Sequence, residues 1–283
     1  MGKSAVVVVD EEILKVHIHS IKPGSVINFA QKFGEFVKLK IENMTEQASE
    51  NKAASATNNT STNKPTNVAV ISCNVGQGII NNMKEYGAHF IIEGGQTMNP
   101  SAADIITAIK TVDSKNVIIL PNNSNIILAA QQAAQTITDK KVVVLPSKTQ
   151  MQGIAAIINF DPDGTLEDNK EEMTDIISEV GTVQVTKASR TTKIEGVKVT
   201  EGEYLAISNK KIINSYKSST KAAIEALKPL INDDTEVVTV YYGDESTKAD
   251  ANEVVSFLDN NYDLETEIKT GDQPVYNFLI SVE

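Results

Sequence analysis

The chain has 283 residues, of which 41% are hydrophobic and 22% charged, a composition typical of a globular protein rather than a disordered or fibrous one. Its formal net charge of −11 argues against non-specific binding to nucleic acid or to an anionic membrane surface. The single cysteine, Cys73, excludes an internal disulfide framework and any cysteine-clustered metal site. No apolar run reaches the length of ~18 residues that predicts a transmembrane helix, and no signal peptide is recognisable, so the sequence predicts a cytoplasmic protein without a transmembrane segment.

The negative charge is concentrated near the carboxyl terminus. Residues 231–283 contain 13 acidic and two basic residues, so this segment carries the whole net charge, and residues 1–230 are balanced. One interpretation is a solvated surface that keeps the protein soluble. The other is a docking surface for a basic partner, because complementary charge steers association.

The first part of the chain, residues 1–47, predicts a β-β-α-β unit. Apolar runs at 5–9 and 13–18 predict two strands, and a helix is expected at 24–34. Alternation of apolar residues with lysine predicts a third strand at 36–41. A unit of this size is short for an independent domain.

Residues 48–66 contain no large apolar side chain, so we expect a flexible linker there. From 67 to 181, continuous apolar runs alternate with helical patterns, which predicts an α/β subdomain with a parallel sheet. The predicted strands of this subdomain are 68–72, 88–92, 116–120 and 141–145. The predicted helices are 77–86, 101–112, 125–138, 150–159 and 166–180, the last capped by Thr165.

Residues 182–283 predict a second subdomain, of α+β class with a mixed sheet. Its predicted strands are 182–190, 193–199, 203–208, 210–215, 235–242, 263–269 and 274–282. Two helices are expected, at 217–230 and 247–260.

Polar, turn-forming residues follow the predicted parallel strands. Among them are Thr97, Asn99 and Ser101 after the second strand, and Asn122 and Asn123 after the third. Because ligands of open α/β sheets bind at the carboxyl ends of the strands, these residues are candidates for holding a carboxylate or phosphate. Helix capping and turn formation explain the same residue types equally well. The sequence alone does not distinguish ligand binding from helix capping and turn formation at these positions.

Other motifs carry less information about ligands. Gly76-Gln77-Gly78 lacks the third glycine of a dinucleotide fingerprint, since residue 81 is asparagine, and no P-loop occurs. His17 and His19 are two residues apart on a predicted strand and therefore share a face. Such a pair could bind a metal, hold a phosphate, relay protons or simply lie on the surface. No metal site is predicted in this chain.

Several strings resemble the A subunit of bacterial fatty acid kinase, a dihydroxyacetone-kinase-like protein with a DegV-like carboxyl-terminal domain. They are KVHIHS at 15–20, KLKIENM at 38–44, IEGGQTMNPS at 92–101, LPNNSNI at 120–126 and QPVY at 273–276. The resemblance covers nearly the whole chain. It implies a fragment that holds the end of the middle domain and the complete DegV-like region, without the amino-terminal nucleotide-binding domain.

This resemblance implies a function for the intact protein. The family phosphorylates a fatty acid that is presented by a separate DegV-type binding protein, and the acyl-phosphate supports phospholipid synthesis. ATP and magnesium would bind in the missing domain, and this fragment would hold no cofactor and be inactive alone. His17 and His19 match the family's catalytic H-x-H motif. The family also implies a homodimer of the full-length protein and docking of the partner on this region.

Two alternatives remain from the resemblance. Thr97 and Ser101 match hydroxyl positions with which DegV-type binding proteins hold a fatty-acid carboxylate, so the chain could be a fatty-acid carrier. The family's relation to dihydroxyacetone kinase suggests a module of a small-molecule kinase instead.

Overall fold

A computed structural model describes residues 3–10, 13–37, 39, 66–95, 99–194 and 196–283. The chain divides into two compact units, residues 1–59 and 60–283. The predicted linker, residues 48–66, lies outside the described residues except for Thr66.

The first unit begins with an antiparallel hairpin. Strand β1 (Lys3–Asp10) pairs with β2 (Ile13–His19), and helix α1 (Pro23–Ala30) follows, with a proline in its first turn and a 3-10 turn at its end. The third strand predicted at 36–41 is not formed at residues 36, 37 and 39, and the other three positions lie outside the described residues. Phe36, Val37 and Leu39 are exposed and pair with no strand of the described chain, so their apolar side chains are not part of a sheet there.

The second unit starts with the predicted parallel sheet. Its strands are β3 (Val68–Asn74), β4 (Phe90–Glu93), β5 (Asn116–Leu120) and β6 (Lys141–Val144), in the order β4-β3-β5-β6. The helices between and after them are α2 (Gln77–Glu85), α3 (Ala102–Thr111), α4 (Ser124–Thr136), α5 (Gln150–Ile158) and α6 (Leu166–Glu179). Every strand and helix predicted for this part is present, within a few residues at each end.

Both faces of this sheet are covered. Alternate residues of the central strands enter two different cores, Val70 and Ile118 on one side and Ile71 and Ile119 on the other. Helices α3 and α4 cover the second side, and α2, α5 and α6 cover the first. This burial on both faces explains why the strands read as continuous apolar runs.

The second sheet is mixed, as predicted. Its strands are β7 (Gly181–Lys187), β10 (Tyr204–Ser208), β11 (Lys211–Tyr216), β12 (Val237–Tyr242), β13 (Glu265–Thr270) and β14 (Tyr276–Val282). The order is β11-β10-β7-β14-β12-β13, and only β12 and β13 run parallel. Helices α7 (Ser219–Leu227) and α8 (Lys248–Asn261) cover one face.

The prediction of a single strand at 193–199 is wrong. The chain there forms a hairpin of two short strands, β8 (Thr192–Ile194) and β9 (Val197–Val199). Gly196 has a φ of +87°, a left-handed conformation that reverses the chain and that glycine adopts without strain.

One helical layer joins the two sheets. Met83 of α2, Met151 of α5 and Met173 of α6 lie in the same buried cluster as Tyr241 of β12 and Leu279 of β14. The parallel and mixed sheets of the second unit therefore share a core. This arrangement brings the carboxyl ends of the parallel strands close to loops of the mixed sheet.

Candidate functional site

The strand order defines a crevice at the carboxyl edge of the parallel sheet. The chain runs outward from β3 to β4 and then crosses to β5 on the other side of β3, so the topological switch point lies between β3 and β5. Doubly wound folds bind their ligands at this point. Asn74 ends β3, and Asn122 follows β5, so both lie at the crevice.

The chain's own side chains fill this crevice with a buried polar network. The Ser72 hydroxyl donates to Asn74 Oδ1 at 2.6 Å and accepts from Asn122 Nδ2 at 2.9 Å. Gln150 Oε1 accepts from Asn74 Nδ2 at 3.2 Å and from the Val75 backbone N–H at 2.9 Å. These hydrogen bonds hold the buried side chains in fixed positions, because each polar group depends on its neighbour for a partner.

Asn122 is the most constrained member of the network. Its φ is +55°, its backbone N–H donates to Ser147 Oγ at 3.0 Å, and the residue is 4% exposed. Its Oδ1 is buried without a hydrogen-bond partner in the described chain and faces Gly153 of α5. A Cβ at position 153 would lie 2.0 Å from that oxygen, so only glycine leaves room for the amide.

The remaining sequence candidates of the second unit are at helix amino termini. Ser101 forms a capping box with Asp104, which accepts from the Ser101 hydroxyl at 2.7 Å, and Asn123 Oδ1 accepts from the Asn125 N–H at 2.9 Å. Asn99 is exposed, and Thr97 lies outside the described residues. The capping interpretation therefore accounts for Ser101 and Asn123, and their binding of a ligand stays a prediction.

Gly76 and Gly78 have a packing role that the sequence did not suggest. A Cβ at Gly76 would lie 2.5 Å from the Gly271 carbonyl oxygen, and one at Gly78 would lie 2.0 Å from the Thr270 carbonyl oxygen. The Ile79 N–H, in the first turn of α2, donates to the Gly271 carbonyl at 3.2 Å. A loop of the mixed sheet thus caps α2, in the place where a phosphate would bind in a dinucleotide fold.

His17 and His19 lie on β2 in the first unit, and the other described candidates lie in the second unit. The backbone register places His17 opposite Val6 and His19 opposite Lys3 of β1. Their catalytic role stays a prediction.

Cys73 is buried in the core beside the parallel sheet, 1% exposed. Burial raises the pKa of its thiol to about 12, so the thiol remains protonated at neutral pH. A protonated, inaccessible thiol is a poor nucleophile.

Sequence reasoning missed the long-range polar contacts. Gln150 and Ser147 complete the crevice network, and Tyr86, directly after α2, meets Lys269 of β13, 183 positions away in the chain. The only available signal was the concentration of Ser, Asn and Gln at consecutive strand ends.

The class of protein follows from this architecture and from its likeness to solved structures. A DegV family protein from Ruminococcus gnavus superposes with a TM-score of 0.57 at 13% identity, over 78% of this chain and 100% of that one. A Thermotoga maritima protein described as having a fatty acid binding function gives 0.55 at 14% identity, over 77% and 99%. The dihydroxyacetone kinase of C. freundii gives 0.55 at 12%, over 87% of this chain and 57% of the kinase. The second unit therefore has the DegV and dihydroxyacetone kinase type of fold.

The family assignment is more specific. Residues 69–283 match the family model for the carboxyl-terminal domain of FakA-like proteins, which are proteins like the A subunit of fatty acid kinase. Residues 1–51 match the model for the middle domain of the same proteins. The chain belongs to this FakA-like family, as the sequence resemblance predicted.

Curated relatives agree with this assignment. Protein YloV of Bacillus subtilis is 41% identical over 286 residues, which cover 100% of this chain and 51% of YloV. An uncharacterized protein of Staphylococcus epidermidis is 40% identical over 287 residues, with 100% and 52% covered. The chain thus spans about half the length of the curated relatives that it matches. Among the described residues, no helix combines the length and the apolar character needed to cross a bilayer.

Proposed function

We propose that this chain is the part of a fatty acid kinase A subunit that docks a DegV-type fatty-acid-binding protein, so that the bound fatty acid is phosphorylated to acyl-phosphate for phospholipid synthesis. The observation that carries this proposal is the acidic surface of the mixed-sheet subdomain. Twelve of the 13 carboxylates in residues 231–283 are exposed, and Asp250 is half-buried. Charge on this scale favours encounter with a basic protein surface.

The filled crevice supports a docking role over a binding role for a small molecule. Ser72, Asn74 and Gln150 are nine-tenths or more buried and bonded to one another, so a ligand would have to break this network to enter. Such a rearrangement leaves buried polar groups unpaired, which is costly.

The nucleotide and its metal ion would then be held by other parts of the intact, cytoplasmic enzyme. We propose that ATP and magnesium bind outside this chain and that the full-length protein is a homodimer. His17 and His19 would act on the transferring phosphoryl group or the acyl carboxylate, by electrostatic stabilisation. Replacing either histidine by glutamine in the full-length protein should abolish phosphorylation and leave partner docking unchanged.

Analytical sedimentation tests the docking proposal. This chain is mixed with a fatty-acid-binding partner from the same organism, at about 50 mM and at about 500 mM salt. We expect a complex that weakens as salt rises, because exposed charges are screened. No complex at either salt concentration would refute docking by this chain.

A second candidate function, a fatty-acid carrier, is favoured by the fold shared with the fatty-acid-binding protein of Thermotoga maritima. Organic extraction of the purified chain, followed by mass spectrometry, should then release about one fatty acid per chain. A dihydroxyacetone-type kinase module, favoured by the C. freundii neighbour, predicts phosphorylation of dihydroxyacetone by the full-length protein.

A further inference from the structure

A polar cleft lies between the two subdomains of the second unit, outside the filled crevice. One wall is the solvent-facing side of α2, and the other is the end of β13 with the residues that follow it. Its volume is about 510 Å³, within the range of ~300–1,000 Å³ seen for ligand sites. The side chains that define it are Asn81, Glu85, Tyr86, Lys269, Thr270 and Asp272.

Lys269, the cation in this cleft, is already paired with groups of the chain itself. Its ammonium group donates to Tyr86 Oη at 2.8 Å, pairs with Glu267 at 2.9 Å and lies 5.6 Å from the centre of the Tyr86 ring. Partial burial lowers the pKa of Lys269, but the hydrogen bonds to Tyr86 and Glu267 outweigh it and raise the pKa overall. Lys269 therefore stays charged and committed to these partners.

Glu85 and Asp272 supply the uncompensated charge. They stand on opposite walls, Glu85 at the end of α2 and Asp272 two residues after β13, and both are exposed. Within the part of the chain that the structure describes, neither forms an ion pair. Two unpaired carboxylates that line one cleft create a local field favourable to a cation.

The lining selects among possible occupants. Most of its lining side chains carry polar or charged groups, and an acyl chain would take these groups out of contact with water, which is unfavourable. Carboxylates on both walls disfavour an anion. Among the described residues no group of three or more His, Cys, Asp or Glu side chains is placed to hold a metal ion. A cationic side chain fits the charge, and the planar guanidinium of arginine also matches the geometry of the two carboxylates.

We propose that this cleft binds an arginine side chain of the docked fatty-acid-binding protein. The inference rests on the proposed docking function and locates its centre, because Asp272 and β13 belong to the acidic segment 231–283. An arginine here would contact α2 and β13 at once. It would therefore recognise the assembled pair of subdomains rather than either one alone.

Charge-neutral variants test this location. Glu85→Gln with Asp272→Asn removes both cleft carboxylates and keeps their shape, and asparagine tolerates the φ of +51° at position 272. Asp233→Asn with Asp234→Asn is the matched control, since it removes two exposed carboxylates of the same segment outside the cleft. Thermal unfolding of both variants, compared with the parent chain, verifies that each is folded.

Calorimetric titration then measures the affinity of the parent chain and of each variant for the fatty-acid-binding partner. We expect the cleft variant to bind about 10-fold more weakly, with a smaller dependence on salt, and the control to keep the parent affinity within about twofold. If both variants weaken binding equally, or neither does while the parent chain binds, docking stands and the cleft is not its centre. If the parent chain does not bind the partner, the docking function itself is refuted, and the cleft assignment with it.

Discussion

Replacing Gly78 by alanine distinguishes local helix preference from the close packing of the two subdomains. Gly78 is the second residue of α2, where alanine would favour the helix by about 1 kcal/mol over glycine. The new Cβ, however, would lie 2.0 Å from the Thr270 carbonyl oxygen, about 1.4 Å closer than the 3.4 Å of an ordinary contact. Both atoms of that clash belong to the backbone or are fixed to it, so no side-chain rotation relieves it.

The magnitude follows from the contacts that must move. Overpacking of this kind costs about 3 kcal/mol. Displacing the loop also breaks the hydrogen bond from the Ile79 N–H to the Gly271 carbonyl, worth about 1 kcal/mol. After subtracting the helix gain of about 1 kcal/mol, we expect a net destabilisation of about 3 kcal/mol. For a unit of this size that lowers Tm by about 6–12 °C.

Differential scanning calorimetry of the chain measures this change. Gly24→Ala, which also replaces the second residue of a helix, is the matched control: a Cβ there meets no described atom within 4 Å, so only the helix gain of about 1 kcal/mol or less remains and the variant should be no less stable than the parent. A Gly78→Ala variant as stable as the parent, or more stable, would refute the packing argument. It would mean that α2 and the end of β13 can separate freely.

Three further predictions concern single residues. The neutral His89 ring accepts a hydrogen bond from the Val70 N–H, and burial lowers the pKa of this ring. The stabilisation that it gives is therefore present above about pH 6.5 and is lost as the pH falls towards the lower pKa of the folded state. Urea unfolding should show a smaller free energy of unfolding at pH 5 than at pH 7, and a His89→Gln variant should lack this difference. Cys73 should react with a thiol reagent at pH 8 only after unfolding, because it is buried and its pKa is raised to about 12; rapid labelling of the native chain would contradict this. Thr247→Ala should cost about 1 kcal/mol in urea unfolding, because it removes a capping box with Asp250 at the start of α8, and an unchanged midpoint would show that the cap is dispensable.

The elements of the second unit were predictable because their signals are local. Buried parallel strands give continuous apolar runs, and the Thr165 hydroxyl, which accepts from the Asp168 N–H at 3.2 Å, marks the start of α6 as its position in the sequence suggested. The predictions failed where the outcome depends on a partner. The segment 36–41 alternates like a strand, but its described residues, 36, 37 and 39, have no neighbouring strand in the described chain. At 193–199 the turn at Gly196 outweighed the apolar pattern.

The candidate site was less predictable because its contacts are distant in sequence. Asn74 and Gln150 are 76 positions apart, and Asn82 reaches the Tyr241 hydroxyl across 159 positions. Sequence identified the correct strand ends but could not say that Gln150 returns to fill the space between them. Burial raises the pKa of Tyr241 to about 12, and no local motif predicts this.

The position of β14 has a consequence for synthesis of the chain. This strand, the last one described, lies in the middle of the mixed sheet and pairs with β7 on one side and β12 on the other. While the ribosome is still translating residues before 276, β7 and β12 have no strand between them, and the backbone N–H and C=O groups along their facing edges stay unpaired. The mixed sheet can close only after residue 282 has left the ribosome, so nascent chains stalled before that point should be targets for chaperones and proteases.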